Sequence, residues 1–196
     1  MACQDCERPD TSASLNNVEL CDRCYDRRIA AHTGWPELPD PPAPIVLISP
    51  DGRRHQMRFR LWRAPTGVEV EVEEDGVAVG EGFHVAVLGD HDADVAQLIA
   101  RATTAAEERV SRRYVEPAGN RAGWQVKDME IAGRFVWDDD QPGGHPYRVI
   151  VDGRTLTWEE LGDALESFEG WEFHLTIVDR VEDARTDADI LSFPNG

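Results

Sequence analysis

An α+β fold, with a small cysteine-bound module in front of a mostly antiparallel β-sheet domain flanked by two helices, follows from three observations. The only four cysteines form two Cys-x-x-Cys pairs, Cys3/Cys6 and Cys21/Cys24, separated by 14 residues. Five prolines crowd residues 34–44. Beyond them, short alternating apolar runs bounded by glycine and aspartate turns are interrupted by two stretches of helical period. A chain of 196 residues, 41% hydrophobic, can bury one core of ordinary size beside such a module.

Each cysteine pair places two sulfurs on one tight turn. Two such turns face to face supply the four thiolates of a closed tetrahedral Zn²⁺ site, so Cys3, Cys6, Cys21 and Cys24 are the expected ligands of one structural zinc. A closed site keeps no position for water and folds a module without itself catalysing. Disulfides are the competing reading, but they belong to secreted chains, and Met1-Ala-Cys-Gln-Asp5 has neither the basic nor the apolar character of a secretory leader. No apolar run approaches the ~18 residues of a membrane span. The expectation is a soluble, cytoplasmic protein.

The formal net charge of −18 counts the thiols as neutral. Nucleic acid is a poor partner for such a surface, because binding it requires clustered Lys and Arg to neutralise phosphates. Residues 1–33 do not supply the cluster: they hold six acids against four arginines.

Four segments are predicted: a zinc module over 1–33, a proline-rich linker over 34–44, an α+β domain over 45–179, and an acidic tail over 180–196. In the module, Val18-Glu-Leu-Cys21 ends a short strand and Cys24 to His32 forms a helix whose N-terminus sits beside the thiolates. His32 reads as a helix-end residue, since four cysteines already fill the site. A knuckle, a hairpin and a helix carrying the last two ligands resemble the treble-clef zinc finger. The likeness is greatest to the small N-terminal zinc domain of Clp-type unfoldases, and implies recruitment of adaptors or substrates without a catalytic role.

The linker forbids a helix and favours an extended spacer. Trp35 and Leu38 within it predict that it lies along the main domain, where their apolar surface is covered. Next come a strand over Ile45–Ser49 and a hairpin, Arg54–Arg63 against Val68–Glu73. Its register sets Arg63 opposite Val68, Arg60 opposite Glu71 and Arg58 opposite Glu73, with Leu61/Val70 and Phe59/Val72 on the buried side. Five arginines over residues 53–63 suggest an anion-binding patch. The register favours a ladder of cross-strand ion pairs on a solvated face instead. Residues 67–94 hold nine acids and no Lys or Arg, which leaves an acidic face.

A strand over residues 81–88 and a helix from Val95 towards Tyr114, capped by Asp94 with Gln97, follow. Asp90, His91, Asp92 and Asp94 match no calcium loop, lacking its glycine and distal glutamate. Strands are predicted over Trp124–Val126, Met129–Trp137 and Tyr147–Val151, with a solvated acidic loop over Asp138–Gly144. Asp152-Gly153 marks a hairpin turn, Thr157 with Glu160 a capping box for a helix reaching Phe168, and Trp171–Asp179 a last alternating strand. The run Asp152-Gly … Thr157-Trp-Glu-Glu-Leu-Gly162 … Glu169-Gly170 resembles the tail of an uncharacterised bacterial family that carries the same kind of zinc finger in front, and that likeness implies no activity.

There is no Gly-x-Ser-x-Gly elbow, phosphate loop or His-Glu-x-x-His, and His55, His84, His91, His145 and His174 stand singly. The sequence therefore points to a protein-interaction adaptor or regulator whose partner is another protein. An acidic decoy using the Glu69–Asp94 face against a basic partner is the alternative, and an enzyme with an unrecognised pocket a further one. The two-module division predicts that Cys21→Ser unfolds residues 1–33 and leaves the main-domain melt intact.

Overall fold

A computed structural model describes residues 2–9, 11–78, 80–119, 122–137, 147–179 and 181–183. The class is α+β, and all strand pairs but one are antiparallel. The front module is a hairpin, β1 (Ala13–Leu15) with β2 (Val18–Leu20), followed by α1 (Asp22–Thr33). The helix begins one residue after Cys21, two earlier than the sequence suggested, and Gly34 closes it in the left-handed conformation at φ 78°.

Five strands form the largest sheet: β3 (Ile45–Ile48), β4 (Arg54–Ala64), β5 (Gly67–Glu74), β6 (His84–Gly89) and β12 (Val181–Asp183), in the order β12-β6-β5-β4-β3. The β4–β5 register is the predicted one at all the pairs named above, with Arg63 opposite Val68, Arg60 opposite Glu71 and Arg58 opposite Glu73. Gly67 opens β5 at φ 154°, and a Cβ there would meet the carbonyl oxygen of Gly89 at 1.9 Å, so β5 and β6 approach as closely as they do only because this residue has no side chain. Helix α2 (Val95–Ser111) covers one face, packing Leu98, Ala102, Ala106 and Val110 on Met57, Phe59, Leu61, Val70, Val72, Val85 and Val87. Asp94 caps it by accepting from the backbone of Ala96 and Gln97, and the Gln97 side chain returns to the Asp94 carboxylate.

The remaining strands form two further sheets instead of extending the first. Strands β7 (Val115–Pro117) and β8 (Trp124–Val126) pair with each other. Strands β9 (Arg134–Trp137), β10 (Tyr147–Val151) and β11 (Arg154–Leu156) make a three-stranded sheet in the order β11-β10-β9. Helix α3 (Trp158–Leu165) follows with the complete Thr157/Glu160 capping box, then a 3₁₀ turn over Glu166–Phe168. A separate apolar cluster of Val115, Val149, Val151 and Leu156 serves this half. The Asp152-Gly153 turn takes φ values of 51° and 68°, the geometry of a tight two-residue hairpin. The Asp152 carboxylate also accepts from the backbone of Tyr114 and Val115, tying the start of β7 to this turn.

Three expectations are corrected. The strand predicted from Met129 starts only at Arg134, because Asp128 and Met129 sit at φ 56° and 58° and turn the chain. Trp171–Asp179 forms no strand: its alternation is intact, but no described edge takes it up, and its side chains face solvent. The charged side of the β4–β5 hairpin is not a fully solvated face, since Glu69 and Glu71 are buried. The acidic loop Asp138–Gly144, His145 and tail residues 184–196 lie outside the described residues.

Candidate metal centre and its docking onto the sheet

Four sulfurs converge where the first cysteine knuckle meets the start of α1. One ligand atom from each of Cys3, Cys6, Cys21 and Cys24 lies within 4.8 Å of all the others, and the set could hold a metal ion. Metal–thiolate bonds of about 2.3 Å in a tetrahedron require S···S edges of about 3.8 Å. Cys6 Sγ lies 3.7 Å from Cys21 Sγ, which fits such an edge and is far too long for a disulfide. The backbone places the knuckle: the Cys3 amide donates to the Arg8 carbonyl, Gln4 to Glu19 and Glu7 back to Cys3. Glu7 holds the turn at φ 62°.

The protein environment treats the sulfurs unequally. A hydrogen bond from the Cys21 backbone pulls the Cys3 thiol down to about 6, against a smaller upward push from burial. Burial pushes the Cys24 thiol up to about 12, helped by the neighbouring sulfurs. Four thiolates this close repel one another, and a divalent cation at their centre removes that cost. Cys21 occupies the N-cap position of α1, whose N-terminal dipole also favours negative charge. Arg8, Arg23 and Arg27 line a shallow cleft beside Cys6, Cys21 and Cys24.

The module is clasped to the sheet by the arginines of β4. Arg60 donates through Nε and Nη2 to both carboxylate oxygens of Asp22, at 2.7 and 2.9 Å, and through Nη1 to Glu71 at 3.1 Å. The Asp22 hydrogen bond raises the Arg60 guanidinium above its ordinary value. For Glu71, burial pushes the carboxyl up, but His84 and Arg60 outweigh it and the net shift is downward. Arg63 is buried and donates to Asp26 Oδ1 at 2.9 Å and to the carbonyls of Pro36 and His91. Asp26 Oδ2 accepts from the Leu38 amide. Trp35 stacks on His91 at 4.0 Å beneath the Arg63 guanidinium, and Leu38 packs on the main core. The linker thus lies along the domain, as Trp35 and Leu38 suggested. Asp22 and Asp26 went unrecognised; their spacing from Cys21 and Cys24 on a helix was the available signal, but nothing local named Arg60 and Arg63 as partners.

A second polar cluster joins the two halves of the larger part. The Asp51 carboxylate accepts from Ser49 Oγ, from Arg113 Nη1 at 2.7 Å and from Arg154 Nη2 at 2.8 Å. The Ser49 hydrogen bond, with Arg113 beside it, holds the Asp51 carboxyl well below the usual carboxylate range. Ser49 Oγ also lies 2.9 Å from His55 Nε2, and His55 Nδ1 lies 2.7 Å from Glu74 Oε1. Hydroxyl, imidazole and carboxylate are in the order of a hydrolytic triad. Two features oppose that chemistry. The single Ser49 hydrogen is contested by Asp51, and Pro50 offers no N–H to hold an oxyanion at the position after the hydroxyl. Through these contacts the array links the β3–β4 turn to β5 and to the C-terminal half. Of the other histidines, His84 faces Glu71 at 3.7 Å and His174 is exposed.

No helix among the described residues is long and apolar enough to cross a membrane. No curated protein and no solved structure matches the chain. Family models match in two places that meet at the end of α2. Residues 39–111, the five-stranded sheet without β12 together with α2, are similar to a domain of unknown function (DUF7686), and residues 114–182 to another domain of unknown function (DUF7713). The cysteine module precedes both.

Proposed function

We propose that the chain is a zinc-binding, non-catalytic adaptor or regulator that works by contacting another protein, with Cys3, Cys6, Cys21 and Cys24 holding one structural Zn²⁺. The convergence of four sulfurs within 4.8 Å carries the reading. A tetrathiolate set favours zinc among common intracellular metals and closes the coordination sphere, so the ion folds a module and polarises no substrate. The division into residues 1–33, 34–44, 45–179 and 180–196 belongs to this proposal, with the module clasped to its neighbour by Arg60 and Arg63. The decoy alternative loses support, because Glu69 and Glu71, two acids of its proposed face, are buried.

Native mass spectrometry of protein purified without chelators tests the proposal. One zinc per chain, with a co-purifying protein that is lost from the Cys21→Ser variant, supports it; a metal-free chain overturns the zinc assignment. The enzyme reading draws on the Ser49–His55–Glu74 array. Covalent labelling by a fluorophosphonate, abolished in Ser49→Ala, would replace the non-catalytic reading.

A further inference from the structure

Residues 171–177, Trp-Glu-Phe-His-Leu-Thr-Ile, follow the 3₁₀ turn. Apolar side chains at Trp171, Phe173, Leu175 and Ile177 share one side of an extended chain, the period of a strand with one buried face. They are nonetheless 64%, 89%, 68% and 67% exposed. Among the described residues between the 3₁₀ turn and β12 there is no strand. This is a strand without a sheet.

We infer that it pairs with the same segment of a second copy of this chain, as an antiparallel ribbon centred on His174. The sequence is its own complement in that register. Trp171 falls opposite Ile177, Phe173 opposite Leu175, and Glu172 opposite Thr176, so every apolar residue meets an apolar residue on one face and Glu172 meets no like charge. A two-fold pairing in which residue i faces j and j faces i is what an isologous dimer requires.

The area is sufficient. Large apolar side chains present on the order of 150–250 Å² each when fully exposed, so these four leave roughly 500 Å² open. Phe135, Trp137, Tyr147 and Trp158 are also exposed, between 39% and 57%, and add roughly 400 Å². Their rings pair: Phe135 stacks on Trp158 at 5.7 Å and Trp137 meets Tyr147 at 5.1 Å, while Phe168 in the 3₁₀ turn meets Trp171 at 5.8 Å. Covering both sets in two copies removes roughly 1,800 Å², within the range of about 1,200–2,000 Å² for a specific stable interface. A two-stranded ribbon alone is marginal, and these aromatic rings are what its apolar face packs on. A basic partner protein is the competing occupant, and salt separates the two. With a formal charge of −18 on each copy, self-association strengthens as salt screens repulsion, whereas a complex with a basic partner weakens.

The inference does not depend on the zinc reading. Analytical ultracentrifugation of the full-length, metal-loaded chain over micromolar concentrations tests it. The expected result is a monomer–dimer equilibrium that tightens between low and high salt and is weakened at least tenfold in Phe173→Asp, with the thermal melt of each monomer unchanged. His174→Cys, on the two-fold axis, should give a disulfide-linked dimer under mild oxidation where the wild-type chain gives none. A chain that stays monomeric to 100-fold higher concentration, or a dimer that Phe173→Asp leaves intact and His174→Cys does not cross-link, overturns it.

Discussion

Removing the carboxylate of Asp26 should destabilise the protein far beyond what a helix-surface acid normally contributes. Its side chain is 6% exposed and that of its partner Arg63 2%, so Asp26→Ala leaves a buried guanidinium without a counter-charge. Breaking one side of a buried pair costs about 3–5 kcal/mol. For a chain of this size each kcal/mol moves the melting midpoint by roughly 2–4 °C, so a fall of about 6–20 °C is expected. The carbonyls of Pro36 and His91 still accept from Arg63, which places the value towards the lower end. Replacing both partners with apolar residues of similar volume, Asp26→Leu with Arg63→Met, should recover only part of the loss: no charge then remains buried, but the Pro36 and His91 carbonyls and the Leu38 amide lose their partners. Arg58→Ala supplies the contrast: its pair with Glu73 is 56% and 30% exposed and should contribute under about 1 kcal/mol. Urea denaturation of these variants, with metal content measured on each sample, gives the size of each effect. An Asp26→Ala variant within 1 kcal/mol of wild type that retains its metal would refute the claim that this pair clasps the module to the sheet.

Cys21→Ser should take the metal content to zero by elemental analysis and also lower the melt of the remaining domain, because Asp22 and Asp26 lose the helix that presents them to Arg60 and Arg63. An unchanged domain melt would restore the picture of a merely tethered module. Asp51→Asn should cost about 2 kcal/mol at pH 7, the scale of hydrogen bonds to a charged group. Since the folded carboxyl sits below its ordinary value of about 4, its contribution is complete above that pH and is lost as pH falls below it. The gap between variant and wild-type urea midpoints should therefore narrow from pH 5 towards pH 2, and a constant gap would contradict the ion-pair role. Gly67→Ala should cost more than about 4 kcal/mol or prevent folding, since its Cβ has no room against the Gly89 carbonyl; a well-folded variant by circular dichroism would show that β5 and β6 can separate there.

The α+β class, the cysteine cluster, the β4–β5 register and both helix caps were legible because each is local. Alternation, capping residues and Cys-x-x-Cys spacing act over a few residues, and the competing local structures are few. The partners of Arg60 and Arg63 were not legible for a matching reason. The register offered Arg60 a cross-strand glutamate, which it does contact, and nothing within the hairpin indicates that one guanidinium serves Glu71 and Asp22 together. The pattern of β5, alternating Val and Glu, reads as one wet face, yet Glu69 and Glu71 are buried. Alternation reports which side chains share a face; it does not report what a distant segment later lays over that face.

The same distinction explains why the two ends of the chain differ in what they leave open. The long-range seams that involve the N-terminal half are polar: Asp22 and Asp26 on Arg60 and Arg63, and Asp51 reaching across to Arg113 and Arg154. Such seams need both members in place, since an unmatched buried charge is costly, and here both are in place. In the C-terminal half the unsatisfied surface is apolar and lies on an extended segment and a small sheet whose aromatics are half exposed. Apolar surface tolerates exposure one residue at a time better than as a run along one segment, and it is indifferent to the identity of what covers it. The palindromic spacing of Trp171, Phe173, Leu175 and Ile177 removes that indifference, because a second copy matches every apolar position of the segment in a single register.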